Sequence, residues 1–129
     1  MKFDHINQIC DQGRETSFAI HCYHRHGHVE KIYENALVHR LRAKGLAVEQ
    51  QHPLNVYDED GALLGTFFAD LYFEQQLIVE LKAVRAVASE HVAQLLGYLR
   101  SSRIETGLLI NFGSPVLQVK KYLISPLPG

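Results

Sequence analysis

Cysteine, long apolar runs and surplus positive charge are all scarce in this chain. Its 129 residues include only two cysteines, Cys10 and Cys22, which are too few for a disulfide framework and fit a reducing compartment. No stretch approaches the roughly 18 consecutive apolar residues of a membrane-spanning helix, and Asp4, Asp11 and Glu15 interrupt the apolar run that a signal peptide needs. We therefore expect a cytoplasmic protein with no membrane partner.

The charge balance counts against binding of nucleic acid through an overall basic surface. Thirteen Lys and Arg residues oppose fourteen Asp and Glu residues, which gives a net charge of −1. A carboxylate cluster that binds cations remains compatible with this balance, because the cations offset its charge. Hydrophobic residues make up 47% of the chain, as in folded globular proteins, and the length predicts a single domain over residues 1–129.

Apolar spacing predicts the two helical regions of the N-terminal part. Between Val29 and Leu41 the apolar residues recur at steps of three and four, which is the pattern of an amphipathic helix. Lys44 and Gly45 supply the C-terminal signals that end it. A weaker helix is predicted over about residues 4–22.

The remainder of the chain alternates between strand and helix signals. Pro53 indicates an edge or irregular strand, and Ser89 is predicted to cap a helix. Strands are predicted over 46–57, 63–73, from 77 onward, over 107–112 and within 116–124. This order predicts an α/β fold, in the form of an α+β sandwich around a central mixed sheet. A helical extension over about residues 1–26 would precede a core over about 27–124.

Three residues of this predicted sheet form the candidate site. A hairpin that turns near Gln75 sets Asp70 and Glu80 nearly opposite each other on adjacent strands, with Cβ atoms about 5 Å apart. Carboxylates this close repel unless a proton or cation lies between them, and their oxygens suit Mg²⁺ or Mn²⁺. Lys82 shares a face with Glu80, while Leu81 points into the core. The bare pattern is common in surface hairpins, but here both acids follow apolar strand segments, where charges need partners.

Several separate motifs resemble those of a known family. They are Gly27-His28-Val29-Glu30-Lys31-Ile32-Tyr33, Phe68-Ala69-Asp70-Leu71, Val79-Glu80-Leu81-Lys82-Ala83, Gln94-Leu95-Leu96-Gly97-Tyr98-Leu99 and the segment 107–113. In this order they resemble the GxxExxY proteins of the PD-(D/E)xK nuclease-like superfamily, over roughly residues 19–124. The resemblance implies a restriction-endonuclease-like core with the order α-β-β-β-α-β.

The resemblance also implies a role for each site residue. Glu30, Asp70 and Glu80 would bind the metal, Lys82 would assist the attacking water, and Gln94 would support the site from the later helix. The implied reaction is hydrolysis of nucleic-acid phosphodiester bonds with Mg²⁺ or Mn²⁺ as cofactor. Cleavage of both strands of a duplex would call for two sites and hence a homodimer. Cations expected to follow a nucleic-acid backbone are Arg40, Arg42, Lys44, Arg85, Arg100 and Arg103.

Two alternatives stay open at the level of sequence. The chain fits a binding or regulatory module that keeps the nuclease-like fold without turnover, since a fold does not fix a function. The histidine-rich segment His21–His28 offers a second alternative, a zinc-dependent interaction protein. Its tight alternation lacks the paired spacing of a structural zinc site, so a partly solvated loop is the favoured interpretation.

Overall fold

Three helices and five strands make up the part of the chain that the structure describes. The structure is a computed structural model that describes residues 5–125, so both ends of the predicted 1–129 domain lie outside the described residues. The elements are α1 (Ile6–His24), α2 (Glu30–Ala43), β1 (Val48–Tyr57), β2 (Leu63–Phe73), β3 (Leu77–Lys82), α3 (Ser89–Ser102), β4 (Thr106–Asn111) and β5 (Gln118–Leu123).

The five strands form one mixed sheet in the order β1-β2-β3-β4-β5. Neighbouring strands are antiparallel except β3 and β4, which are parallel and are connected through α3. A parallel pair needs such a crossover, whereas the other pairs are joined by short turns or loops. The prediction of an α+β fold around a mixed sheet is confirmed, and β1 is an edge strand, as Pro53 indicated.

Helices cover both faces of the sheet and divide its core in two. The helix-pair cluster lies under α1 and α2 and contains the buried strand residues Leu71, Val79 and Leu81. The α3 cluster lies on the opposite face and includes Ile78 and Leu109. Alternation along β3 therefore sends its odd-numbered side chains to α1 and α2 and its even-numbered side chains to α3. Every residue of β3 up to Leu81 is buried.

Helix ends agree with the sequence at one position and differ at another. Gly45 follows α2 with φ of 90°, the left-handed conformation that glycine adopts without strain. At α3 the predicted cap is wrong: Ser89 is the first helical residue, and Ala88 occupies the cap position. The imidazole of His91 accepts the Ala88 N–H at 3.0 Å, and the Ala88 carbonyl oxygen accepts the His91 N–H at 3.0 Å, so this helix end forms without a serine hydroxyl at the cap.

The β1–β2 ribbon changes faces at Gln51. Gln51 has φ of 50°, and the pairing on either side joins Gln50 to Leu71 and His52 to Ala69. Ala69 belongs to the α3 cluster whereas Leu71 belongs to the helix-pair cluster, although two residues of a regular strand separated by one share a face. This bend lies directly beside Asp70, the candidate site residue between Ala69 and Leu71.

None of the helices within residues 5–125 is both long enough and apolar enough to span a membrane.

Substitution of Gly113 tests the close backbone packing after β3 and β4, and substitution of Gly97 in α3 is its control. A Cβ at Gly113 would overlap the backbone of Ala83 and Val84, whereas a Cβ at Gly97 in α3 would meet nothing within 4 Å. We expect Gly113→Ala to lower the free energy of unfolding by roughly 3 kcal/mol or more, because backbone cannot move aside. Gly97→Ala should raise it by about 0.5–1 kcal/mol through helix propensity. Urea unfolding measures both, and equal effects would contradict the packing.

Candidate active site

Asp70 and Glu80 face each other where the pairing of β2 with β3 stops. The last paired residues are Leu71 and Val79, and the same register sets Asp70 opposite Glu80, as the sequence predicts for this hairpin. There the Asp70 N–H donates to Glu80 Oε1 at 3.2 Å, and the Leu81 N–H donates to Asp70 Oδ2 at 2.8 Å. At this point the main-chain hydrogen bonds between β2 and β3 are replaced by hydrogen bonds from a main-chain N–H of each strand to a carboxylate of the other.

Burial and a neighbouring charge hold a proton on Glu80. Only 5% of the residue is exposed. Desolvation is the largest cause that raises the pKa of Glu80, from an ordinary 4.5 to about 8. The charge of Asp70 and a hydrogen bond between the two carboxyl groups raise this pKa further, while the Asp70 N–H and the charge of Lys82 oppose the rise. At neutral pH Glu80 therefore keeps its proton, and the negative charge of the neighbouring Asp70 is one of the causes.

Lys82 ends β3 on the same face as Glu80. Leu81, between them, is buried in the helix-pair cluster as predicted, so alternation directs Glu80 and Lys82 toward α3. Lys82 is half-buried, and its positive charge opposes the rise in the pKa of both Glu80 and Glu30. A cation in this place is suited to a phosphate oxygen or to an attacking water.

Glu30, the first residue of α2, lies within electrostatic reach of the pair. Partial burial raises its pKa most, the charge of Asp70 raises it further, and Lys82 opposes the rise. Among residues 5–125, no three Asp, Glu, His or Cys side chains form a group that could hold a metal ion in this conformation. The preformed part of the site is therefore Asp70 with Glu80, and Glu30 lies near the pair without completing a three-ligand group.

Gln94 reaches the site through a residue that the sequence did not single out, Tyr98. The Gln94 side chain lies one helical turn before Tyr98 on α3, and its polar interaction with the Tyr98 hydroxyl lowers the pKa of Tyr98. Burial raises the pKa of Tyr98 most, followed by the charges of Glu80 and Asp70, so this hydroxyl lies near the pair. Its ring stacks on Phe67 of β2 with centroids 3.8 Å apart. The sequence feature that could have identified Tyr98 is its position four residues after Gln94, because residues at this spacing are neighbours on a helix.

Glu34 is a second residue that the sequence did not single out. It is buried on α2, one turn after Glu30, and its carboxylate accepts three hydrogen bonds. The donors are Lys31 Nζ at 2.7 Å, Gln50 Nε2 at 2.8 Å and Gln51 Nε2 at 3.0 Å. The sequence feature that could have identified Glu34 is its position within the apolar stripe of α2. A buried carboxylate there needs hydrogen-bond donors, so it indicates a polar cluster.

The histidine-rich segment does not form a zinc site in the described structure. His21 is buried at the end of α1, where its Nε2 lies 2.9 Å from the carbonyl oxygen of Ser114. His24 and His28 stack edge to face, with ring centroids 5.8 Å apart. No three donors of the segment converge within residues 5–125. The segment therefore offers no preformed three-donor group within these residues, and the zinc alternative stays a prediction.

Two cations expected along a nucleic-acid backbone also have structural roles. Arg42 donates two hydrogen bonds to the Val48 carbonyl, at 3.2 Å from Nε and 2.7 Å from Nη2. Lys44 Nζ donates to the hydroxyl of the buried Thr16 at 2.7 Å and so ties α2 to α1. Both residues remain exposed, so their contact with a nucleic-acid backbone stays a prediction.

The fold and the comparisons agree on the class of protein. A five-stranded mixed sheet with helices on both faces, and with two acids and a lysine at its centre, is a restriction-endonuclease-like fold. The family model of the PD-(D/E)XK nuclease superfamily matches residues 7–122. The chain belongs to the PD-(D/E)XK nuclease superfamily.

A solved structure shares this fold. The chain is similar to the protein described as "Crystal structure of SSO0001", with a TM-score of 0.57 and 19% sequence identity over 76% of this chain. The match covers 50% of that protein, so the chain spans about half of its length. At this identity the likeness concerns the fold alone. No curated protein matches the chain.

The residues present fit a divalent cation at the Asp70–Glu80 pair. Nucleases of this superfamily generally use divalent metals. Glu80 retains its proton well above the ordinary pKa of a carboxyl group, which indicates an unmet need for positive charge beside Asp70. The hard oxygen atoms of both acids match the preference of Mg²⁺ and Mn²⁺. Asp70 and Glu80 would be the first ligands.

The raised pKa of Glu80 predicts how stability depends on pH in the metal-free protein. The native state keeps the proton of Glu80 to about pH 8, whereas the unfolded chain loses it near pH 4.5. The native state therefore binds more protons in between, and the free energy of unfolding should fall as pH rises from about 5 through 8, by an amount on the order of 4 kcal/mol. Urea unfolding in EDTA measures it.

Glu80→Gln is the matched variant for this measurement, because a neutral amide of the same size removes the titration. The variant should lose most of the decline and should be more stable than the wild-type chain at pH 8. A parallel decline in both proteins would show that Glu80 titrates normally.

Proposed function

We propose that the chain is a divalent-cation-dependent nuclease of the GxxExxY family that hydrolyses phosphodiester bonds of nucleic acid. The observation that carries this proposal is the geometry of the Asp70–Glu80 pair: the two carboxyl groups face each other beside Lys82 and each accepts a main-chain N–H of the neighbouring strand. The raised pKa of Glu80, about 8, supports it. A pair of acids with so high an affinity for positive charge is costly for stability, and a catalytic cation gives it a use.

Each group has a distinct task in the proposed site. Asp70 and Glu80 would bind the cation, and Glu30 would move toward it from the first turn of α2. Glu80 must release its proton before it can act as a ligand, so cation binding should tighten as pH rises toward 8. A bound divalent cation supplies charge neutralisation at the phosphate and a lower pKa for a water molecule.

The neighbouring side chains would bind and orient the substrate. The Lys82 ammonium would hold a nonbridging phosphate oxygen and so fix the phosphorus in line with the attacking water. The Tyr98 hydroxyl, which interacts with Gln94, and the ring of Phe67 stacked behind it would form the wall of the site on the side of α3. The substrate class is nucleic acid, and a homodimer would supply the second site that cleavage of a duplex requires.

The test is cleavage of labelled single-stranded and duplex DNA and RNA with Mg²⁺, with Mn²⁺ and with EDTA. We expect cleavage of at least one substrate with a divalent cation and none with EDTA. Asp70→Asn and Lys82→Ala should each lower the rate by about 100-fold or more, since each removes a charge next to the reacting phosphate.

Two surface variants serve as controls for these losses of charge. Glu59→Gln lies in the turn between β1 and β2, and Lys120→Ala lies on the exposed side of β5, so neither should change the rate. Equal rates in the wild-type chain, Asp70→Asn and Lys82→Ala would assign any cleavage to a contaminant. Cation binding without cleavage of any substrate would contradict the enzyme and favour the non-catalytic module.

A further inference from the structure

Gln51 adopts a left-handed backbone conformation within a paired strand. Its φ is 50°, while its neighbours Gln50 and His52 pair normally with β2. The four other described non-glycine residues with positive φ lie in a turn or at a helix end: Arg25, Glu74, Gln75 and Arg103. Backbone strain of this kind persists only where surrounding contacts hold it, and it is concentrated at functional sites.

The side chain of Gln51 joins a buried acid to the candidate metal site. Its Nε2 donates to Glu34 Oε1 at 3.0 Å and lies 3.4 Å from Asp70 Oδ1, a longer contact. Glu34 is itself fixed by Lys31 and Gln50, so the amide of Gln51 has a rigid anchor. The other oxygen of Asp70, Oδ2, accepts the Leu81 N–H. The carboxyl group of Asp70 is thus held by one donor at each oxygen.

We propose that Gln51 is a positioning residue for the metal centre. Glu34 holds the Gln51 amide at the bend of β1, and the amide keeps the carboxyl group of Asp70 turned toward Glu80. Without this donor, Oδ1 of Asp70 would lose its contact with Gln51, and the carboxyl group could rotate away from Glu80. This inference rests on the proposed function, because it assumes that Asp70 and Glu80 bind a divalent cation.

The substitution Gln51→Gly removes the side-chain amide and keeps the backbone bend, so it tests the amide alone. Glycine adopts a φ of 50° without strain, so the bend remains while the donor is lost. We expect the Kd for Mn²⁺, measured by calorimetry on the metal-free full chain, to weaken by about 10-fold, as is typical when a group that orients a metal ligand is removed. The midpoint of thermal unfolding in EDTA should fall, because Oε1 of the buried Glu34 loses the donor that Gln51 supplies, while glycine relieves only the backbone strain.

The matched control is Gln75→Gly, which makes the same change at a φ of 56° in the β2–β3 turn. It should leave the Kd for Mn²⁺ unchanged. Gln51→Asn is the second variant, since asparagine tolerates the left-handed conformation but is too short to span the same contacts. It should weaken Mn²⁺ binding as Gln51→Gly does.

The outcomes distinguish this inference from the proposed function. If the wild-type chain binds Mn²⁺ and both Gln51 variants bind it equally well, Gln51 has no positioning role. A lower stability of the variants with an unchanged Kd would likewise overturn the inference, because it indicates a role in the fold alone. If the wild-type chain fails to bind Mn²⁺, the proposed metal centre fails and this inference fails with it.

Discussion

Repulsion between two carboxylates, Asp70 and Glu80, is the constraint on which the site depends. The sheet buries Glu80 in its centre and sets Asp70 across from it at the point where main-chain pairing stops. Glu80 then cannot ionise near neutral pH without a compensating positive charge, and a proton supplies that charge in the protein alone. Lys82 offsets part of the negative charge but does not remove the need for the proton. A divalent cation would replace this proton and satisfy both acids at once.

Much of this arrangement could be predicted from the sequence, because it follows from local rules. The polar turn around Gln75 fixes the register of the β2–β3 hairpin, and the register alone sets Asp70 against Glu80. Strand alternation then places Lys82 on the same face and buries Leu81. The order of helices and strands likewise follows from apolar spacing and turn residues, which act over a few positions of the chain.

The parts that could not be predicted depend on contacts between distant segments. Gln51 has no feature of sequence that indicates a left-handed conformation, since its bend is held by Glu34 from α2. The role of Arg42 depends on the carbonyl of Val48, which approaches only once β1 is in place. For Gln51 and Arg42 the contact that determines the result lies in another element of the fold. The start of α3 is an exception, because it is set locally: Ala88 is the cap residue, and the imidazole of His91, three residues later, accepts its N–H.

The exchange of the Glu80 proton for a cation is the central claim, and proton release on binding tests it most directly. Calorimetric titration with Mn²⁺ at pH 7, repeated in buffers with different ionisation enthalpies, counts the protons released per ion. With a pKa of about 8, about nine in ten molecules hold the proton at pH 7, so the account predicts release of close to one proton per ion. Binding without proton release, or the same release from Glu80→Gln, would contradict it.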